Sequence, residues 1–219
     1  MTPERLKTVD AVLARRQPDL TVLLEQIYKP HNFSAIIRSC DAVGIPSVHA
    51  VAHQRGVPEY THISSGAHKW VEVETHKNVS TAFKELKANG FQIVVTHLSS
   101  QAVDFRSLDY CKPTALVFGT EKFGVSSEAL IMADAEVIIP MLGMTPSLNV
   151  SVACAVLLYE VQRQRQQAGL YEQIRLNPEE AASLRFQWLH PALTKFCRKH
   201  KLKYPKLDEN GDLLESIPH

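Results

Sequence analysis

The sequence predicts an α/β domain built on a parallel sheet flanked by helices, with helical extensions at both ends. Three observations predict it. From Leu20 onward, apolar runs of strand length alternate with stretches of helical periodicity. The buried-type runs ALVF and EVIIP each give way to a loop rich in glycine, proline or polar residues, which is how strands of a parallel sheet end. A long helical pattern then runs to Ala168 and stops at Gly169.

Thr2-Pro3-Glu4 has the form of a helix start, with Thr2 capping and Pro3 at the first helical position, and predicts a helix to about Arg16. Gln17-Pro18-Asp19 ends it. The run LTVLLEQI follows, then a helix from Asn32 to Val43 and the strands SVHAVA and WVEVET. A helix from Ser80 to Ala88, the strand FQIVVTHL and the strand TALVFG continue the rhythm. A short helix near Ser127 to Ala133, the strand AEVIIP and the helix from Asn149 to Ala168 complete it. This divides the chain into a helical extension over 1–18, an α/β domain over 19–168 and a basic extension over 169–219.

Composition narrows the function. The chain carries 24 Lys and Arg against 23 Asp and Glu, so a surface for a polyanion must be local. Residues 170–206 are where it lies: eight basic side chains (Arg175, Arg185, Lys195, Arg198, Lys199, Lys201, Lys203, Lys206) face three glutamates. Tyr171, Phe186, Trp188, Phe196 and Tyr204 are interleaved with them, suited to stacking on unpaired bases or to pinning short helices to a core. The four cysteines are far apart and form no Cys/His ligand pair, which argues for reduced thiols and against a zinc or redox motif. No apolar run approaches the ~18 residues of a membrane helix, and the first residues lack a signal-peptide core. A cytoplasmic protein without a membrane role is expected.

Three clusters carry the chemistry. In NFSAIIR (32–38), Phe33, Ile36, Ile37 and Cys40 form an apolar stripe, and Asn32 lies about 240° around the helix from Arg38. Asn32 is expected to cap the helix, and Arg38 to be functional, solvated or paired with Asp41. GTEKFG (119–124) has phosphate-loop spacing but Val125-Ser126 replaces the Lys-Ser/Thr pair, so a nucleoside triphosphatase is excluded. Gly119 and Gly124 suit a tight turn at a strand end, where α/β sheets bind ligands. Glu121 there can accept bonds from a ligand, orient an arginine or pair with Lys122. The stretch IPMLGMTPSLN (139–149) is too constrained for a simple connection, and Ser147 or Asn149 is placed to cap the following helix. No G-x-G-x-x-G fingerprint is present, so any cofactor is held by strand-end loops instead.

Together the motifs NFSAIIR, GTEKFGVS and PMLGMTPSLNVS resemble the TrmH/SpoU family of SPOUT RNA methyltransferases over about residues 1–168. That resemblance implies a C-terminal trefoil knot, S-adenosyl-L-methionine as cofactor, a homodimer with a shared active site, and no metal. It places the catalytic positions at Arg38, Asn32, Glu121, Ser147 and Asn149. Donor contacts fall on Thr96, Leu98, Gly119, Ile139, Met141 and Leu148. Basic residues for tRNA fall on Arg15, Arg16, His31, Arg163 and Arg165. Pro146 stands where relatives place a polar residue. The terminal extensions look most like the subgroup that methylates the ribose 2'-hydroxyl of guanosine 18 in the tRNA D-loop. The alternatives are an rRNA ribose 2'-O-methyltransferase and a noncatalytic RNA-binding protein on the same fold.

Overall fold

Strand β1 (Leu20–Glu25) is buried at every residue and is an interior strand of a seven-stranded sheet, in keeping with its mainly apolar sequence. The computed structural model describes residues 2–52, 56, 58 and 66–215, which divide into two compact units, Pro18–Leu170 and a second made of the first 17 residues with Tyr171–His219.

In the larger unit, β1 pairs on one side with β2 (Ser47–Val51), which pairs with β3 (Glu72–His76). Its other neighbour is the strand at Thr114–Phe118, here β6, followed outward by β4 (Gln92–Thr96), β7 (Ala135–Ile138) and the two-residue β5 (Val103–Asp104). Every pairing is parallel, so all seven strands end at the same edge. The fold class is the expected one. β5 was not anticipated, because two residues carry no periodicity.

Alternating side chains serve two cores. Val22, Leu24, Val94, Leu116 and Phe118 pack on one face with Phe33, Ile37 and Cys40 of α2 (Pro30–Ala42) and Cys154, Leu157 and Val161 of α5 (Val150–Gln167). Leu23, Ile93, Val95, Ala115 and Val117 meet α3 (Val79–Ala88) and α4 (Ser127–Met132) on the other. At the β3 edge, His49 and His76 are buried and hydrogen-bonded ring to ring at 2.8 Å. Burial, then the neighbouring His76, pushes the His49 imidazole down to about 4.

Arg165, near the end of α5, is completely buried. It forms an ion pair with Asp19 at 2.8 Å and donates to the carbonyls of Tyr110 (3.0 Å) and Lys112 (3.0 Å). The expectation that it contacts RNA is therefore corrected: its donors are spent inside the fold, on segments leading into β1 and β6. Arg163, two residues away, is exposed and pairs with Glu160.

The smaller unit packs α1 (Pro3–Leu13) on α6 (Pro178–Leu189), and α6 on α7 (Pro191–His200). Thr2 caps α1 by accepting from the Arg5 amide at 3.3 Å. The helix stops at Leu13 and not near Arg16, the following residues forming a turn. Arg16 is also fully buried, its guanidinium 5.0 Å from the centre of the Trp188 ring, which corrects its assignment to the RNA surface. Phe186 is buried and stacks on Tyr204 at 4.9 Å, so these aromatics serve packing. Lys195, Lys199, Lys201, Lys203 and Lys206 are exposed.

Candidate active site

At the strand-end edge of the larger unit, a cleft of about 460 Å³ opens between the loop after β1 and the loop after β6. Its walls include Gln26, Tyr28, Lys29, Asn32, Glu121 and Phe123. Gln26 adopts a left-handed backbone (φ 56°) directly after β1 and bends the chain toward α2, a strained conformation for a residue with a side chain.

The GTEKFG loop is a tight, closed turn: Thr120 and Gly124 exchange backbone hydrogen bonds at 2.9 and 2.8 Å. A Cβ on Gly119 would lie 2.0 Å from the Gly124 carbonyl oxygen, so only glycine fits there, while Gly124 takes a positive φ of 67°. Buried Glu25, at the end of β1, accepts from the Ser126 amide at 2.9 Å and ties this loop to the next strand. Its importance was not visible in the sequence, where it ends an ordinary apolar run.

Glu121 projects from that turn as the hub of a polar cluster. One oxygen, Oε1, accepts from Asn32 Nδ2 at 2.9 Å and from Asn149 Nδ2 at 2.7 Å, and the other pairs with Lys29. Asn149 Nδ2 also lies 3.2 Å from Asn32 Oδ1. The Lys29 ammonium, then the Asn32 amide, holds the Glu121 carboxyl below its ordinary range, and Glu121 raises the Lys29 pKa in return. Neither an arginine nor Lys122 is the partner of Glu121; the Lys122 ammonium sits 5.0 Å from the Phe123 ring centre. Lys29 was missed because a lone lysine before a helix carries no motif.

Asn32 is not the cap of α2. Pro30 occupies the first turn and Lys29 is the capping position, without a side-chain bond, so Asn32 falls inside the helix and its amide is free to reach Glu121. Asn149 does cap α5: its Oδ1 accepts from the Ser151 amide at 2.9 Å while its nitrogen faces Glu121. Ser147 is exposed two residues earlier and does not cap α5. Arg38 is exposed on α2, about a third of a turn from Asn32, and belongs to none of these bonds. His31 and Arg15 are exposed as well.

The remaining predicted positions gather on three adjacent strand ends. Thr96 closes β4 and donates from Oγ1 to the Val117 carbonyl of β6 at 3.2 Å; Gly119 follows β6, and Ile139 follows β7. Leu98 is exposed, and Met141 and Leu148 are half-buried, so apolar side chains alternate with open backbone. A glycine position without room for a Cβ, exposed apolar groups and strand-end backbone suit an adenosine bound chiefly through main-chain contacts. The residues present fit a nucleoside-bearing methyl donor.

Comparison with known proteins accords with this geometry. Residues 19–159 match the family described as the SpoU rRNA Methylase family, and residues 163–216 match SpoU, rRNA methylase, C-terminal. The chain is 48% identical over 215 residues to a tRNA (guanosine(18)-2'-O)-methyltransferase of Escherichia coli K12, covering 97% of this chain and 94% of that one. Its fold is similar to the crystal structure of the A. aeolicus TrmH/SpoU tRNA modifying enzyme, with TM-score 0.78 and 43% identity over 91% of this chain and 98% of that one. It is also similar to the Streptomyces viridochromogenes SpoU methyltransferase AviRb in complex with the cofactor AdoMet. That likeness has TM-score 0.63 and 28% identity, over 69% of this chain and 62% of the other.

Proposed function

The chain belongs to the SpoU rRNA methylase family, and from that membership we propose that it methylates the ribose 2'-hydroxyl of guanosine 18 in the tRNA D-loop, using S-adenosyl-L-methionine. The observation that carries the reading is the Glu121 cluster, which joins Asn32 of the first motif to Asn149 of the third.

The sulfonium donor supplies an electrophilic methyl group, so the chain needs only to hold the donor, orient a ribose oxygen and manage its proton. Thr96, Leu98, Gly119, Ile139, Met141 and Leu148 hold the donor. Glu121, Asn32 and Asn149, with Ser147 beside them, fix the donor loop against α2. Arg38 orients the ribose and its phosphate, and the family pattern also gives it the departing proton. A guanidinium, planar and rich in donors, is suited above all to orientation.

Two chains are needed in this reading, because Arg38 stands apart from the Glu121 cluster of its own chain. Support comes from exposed apolar surface: Val152, Val156 and Tyr159 form a stripe along α5, and Leu142 and Met144 are fully exposed in the stretch before it. Such a stripe fits a homodimer interface. The trefoil knot is part of the proposal on the likeness to TrmH/SpoU structures. Exposed Arg15, His31, Arg163 and the lysines of the basic extension over 169–219 would meet tRNA phosphates. No described helix is long and apolar enough to cross a membrane, and in this reading the enzyme meets its tRNA in the cytoplasm.

The test is transfer of labelled methyl from S-adenosylmethionine to tRNA and rRNA transcripts, with the modified nucleotide mapped. Label on guanosine 18 of tRNA is expected. Label confined to rRNA would move the reading to an rRNA methyltransferase, and no label on any RNA would favour a binding protein.

A further inference from the structure

Away from the cleft, at the β3 edge of the sheet, His49, Glu74 and His76 present one ligand atom each, all within 4.8 Å of one another. The register explains the convergence: His49 of β2 pairs with Glu74 of β3, and His76 follows Glu74 by two residues on the same face. We propose that these three side chains form a binding site for a zinc-class divalent cation that clamps the edge strand β3 to β2.

Distances favour this. His49 Nδ1 lies 2.8 Å from His76 Nε2 and 3.7 Å from Glu74 Oε2. A tetrahedral zinc bound at ordinary metal–ligand lengths separates its ligand atoms by about 3.3 Å, between those two values. Two ring nitrogens in hydrogen-bond contact share one proton, so a cation that accepts both lone pairs shifts that proton to the other nitrogen of the same ring and leaves both imidazoles neutral. Two imidazoles and a carboxylate are a donor set that takes zinc, cobalt or nickel.

The surroundings are those of a metal site. His76 turns its other nitrogen, Nδ1, toward Glu85 Oε2 of α3 at 3.7 Å, the carboxylate–histidine arrangement that orients a ligating imidazole. Both histidines are buried while Glu74 and Glu85 are 43% and 48% exposed, so the cluster opens to solvent on its acidic side, where a cation enters and water completes the coordination. The thiols compete poorly. Cys40, Cys154 and Cys197 are buried, and burial and Asp109 push the partly exposed Cys111 thiol up.

The test is titration of the full chain with Co²⁺, read by its visible spectrum, followed by displacement with Zn²⁺. One equivalent giving tetrahedral bands without a thiolate charge-transfer band is expected. Glu74→Gln, at a half-exposed position that should leave the fold intact by circular dichroism, is expected to weaken binding at least tenfold, and Glu85→Gln about tenfold. Added Zn²⁺ should raise the wild-type Tm and leave that of His76→Ala unchanged. Absence of the bands at one equivalent, a thiolate band, or unchanged affinity in Glu74→Gln would each overturn the site.

Discussion

The side-chain nitrogen of Asn149 donates to Oε1 of Glu121 at 2.7 Å, and the same oxygen accepts from Asn32 at 2.9 Å. Asn149 thus divides one amide between two tasks, its oxygen closing the first turn of α5 and its nitrogen holding the GTEKFG loop. An aspartate would cap the helix equally well, but an ionised carboxylate could not donate to Glu121.

Glu121→Gln keeps an acceptor for the two asparagines and removes the charge that Lys29 faces. Methyl transfer is expected to fall by about tenfold to a hundredfold, the worth of a charged hydrogen bond, with secondary structure unchanged. The Glu121 pKa is depressed in the folded protein, so its contribution to stability is present above the ordinary carboxylate value of about 4.3 and is lost as pH falls through the lowered value. Urea unfolding should therefore show a wild-type advantage over Glu121→Gln at neutral pH that disappears in acid. An advantage that grows on acidification would refute the assignment.

Arg38→Ala should eliminate measurable methyl transfer and leave donor affinity near that of the wild type. Labelled transfer and equilibrium binding of S-adenosylmethionine measure the two separately. Normal turnover would remove Arg38 from the mechanism, and lost donor binding would move it to the donor side.

The pair Arg163 and Arg165 separates surface from core. Arg165→Ala removes the buried cation paired with Asp19 and one donor from each of the Tyr110, Lys112 and Asp19 carbonyls, and is expected to cost about 3–5 kcal/mol in denaturant unfolding. Arg163→Ala should leave stability near that of the wild type and lower the salt dependence of tRNA binding by about one unit of slope. Equal effects on stability would contradict the burial difference.

For the basic extension, replacing Lys195, Lys199 and Lys203 together by alanine tests phosphate contact without cutting α6 and α7 away from α1. Binding to tRNA should weaken at low salt, with a log–log salt slope shallower by up to about three. An unchanged slope would place these lysines off the RNA.

Much of the sheet is legible in the sequence. Alternation from Leu20 onward predicts six of the strands, because a parallel strand buried on both faces is mainly apolar. Two residues apart on a helix, Arg163 and Arg165 leave α5 on different sides, but periodicity does not say which side is core, since the ion pair with Asp19 joins residues 146 apart. Arg16 failed for the same reason, its cover being Trp188 near the other end of the chain. Asn32 was misread as a cap although Pro30, a residue favoured in the first helical turn, stood two positions earlier. The cluster of His49, Glu74 and His76 has no spacing signal in the sequence, because strand register brings its members together.

Helix α5, 18 residues and about 27 Å long, carries Asn149 at one end and Arg165 near the other. A mutational scan scored by methyl transfer would therefore find the two equally intolerant. It would sort Arg165 with the RNA contacts, since an inactive arginine variant of an RNA enzyme invites that conclusion. Only a parallel score for protein abundance would tell a side chain that meets substrate from one that keeps the helix in place.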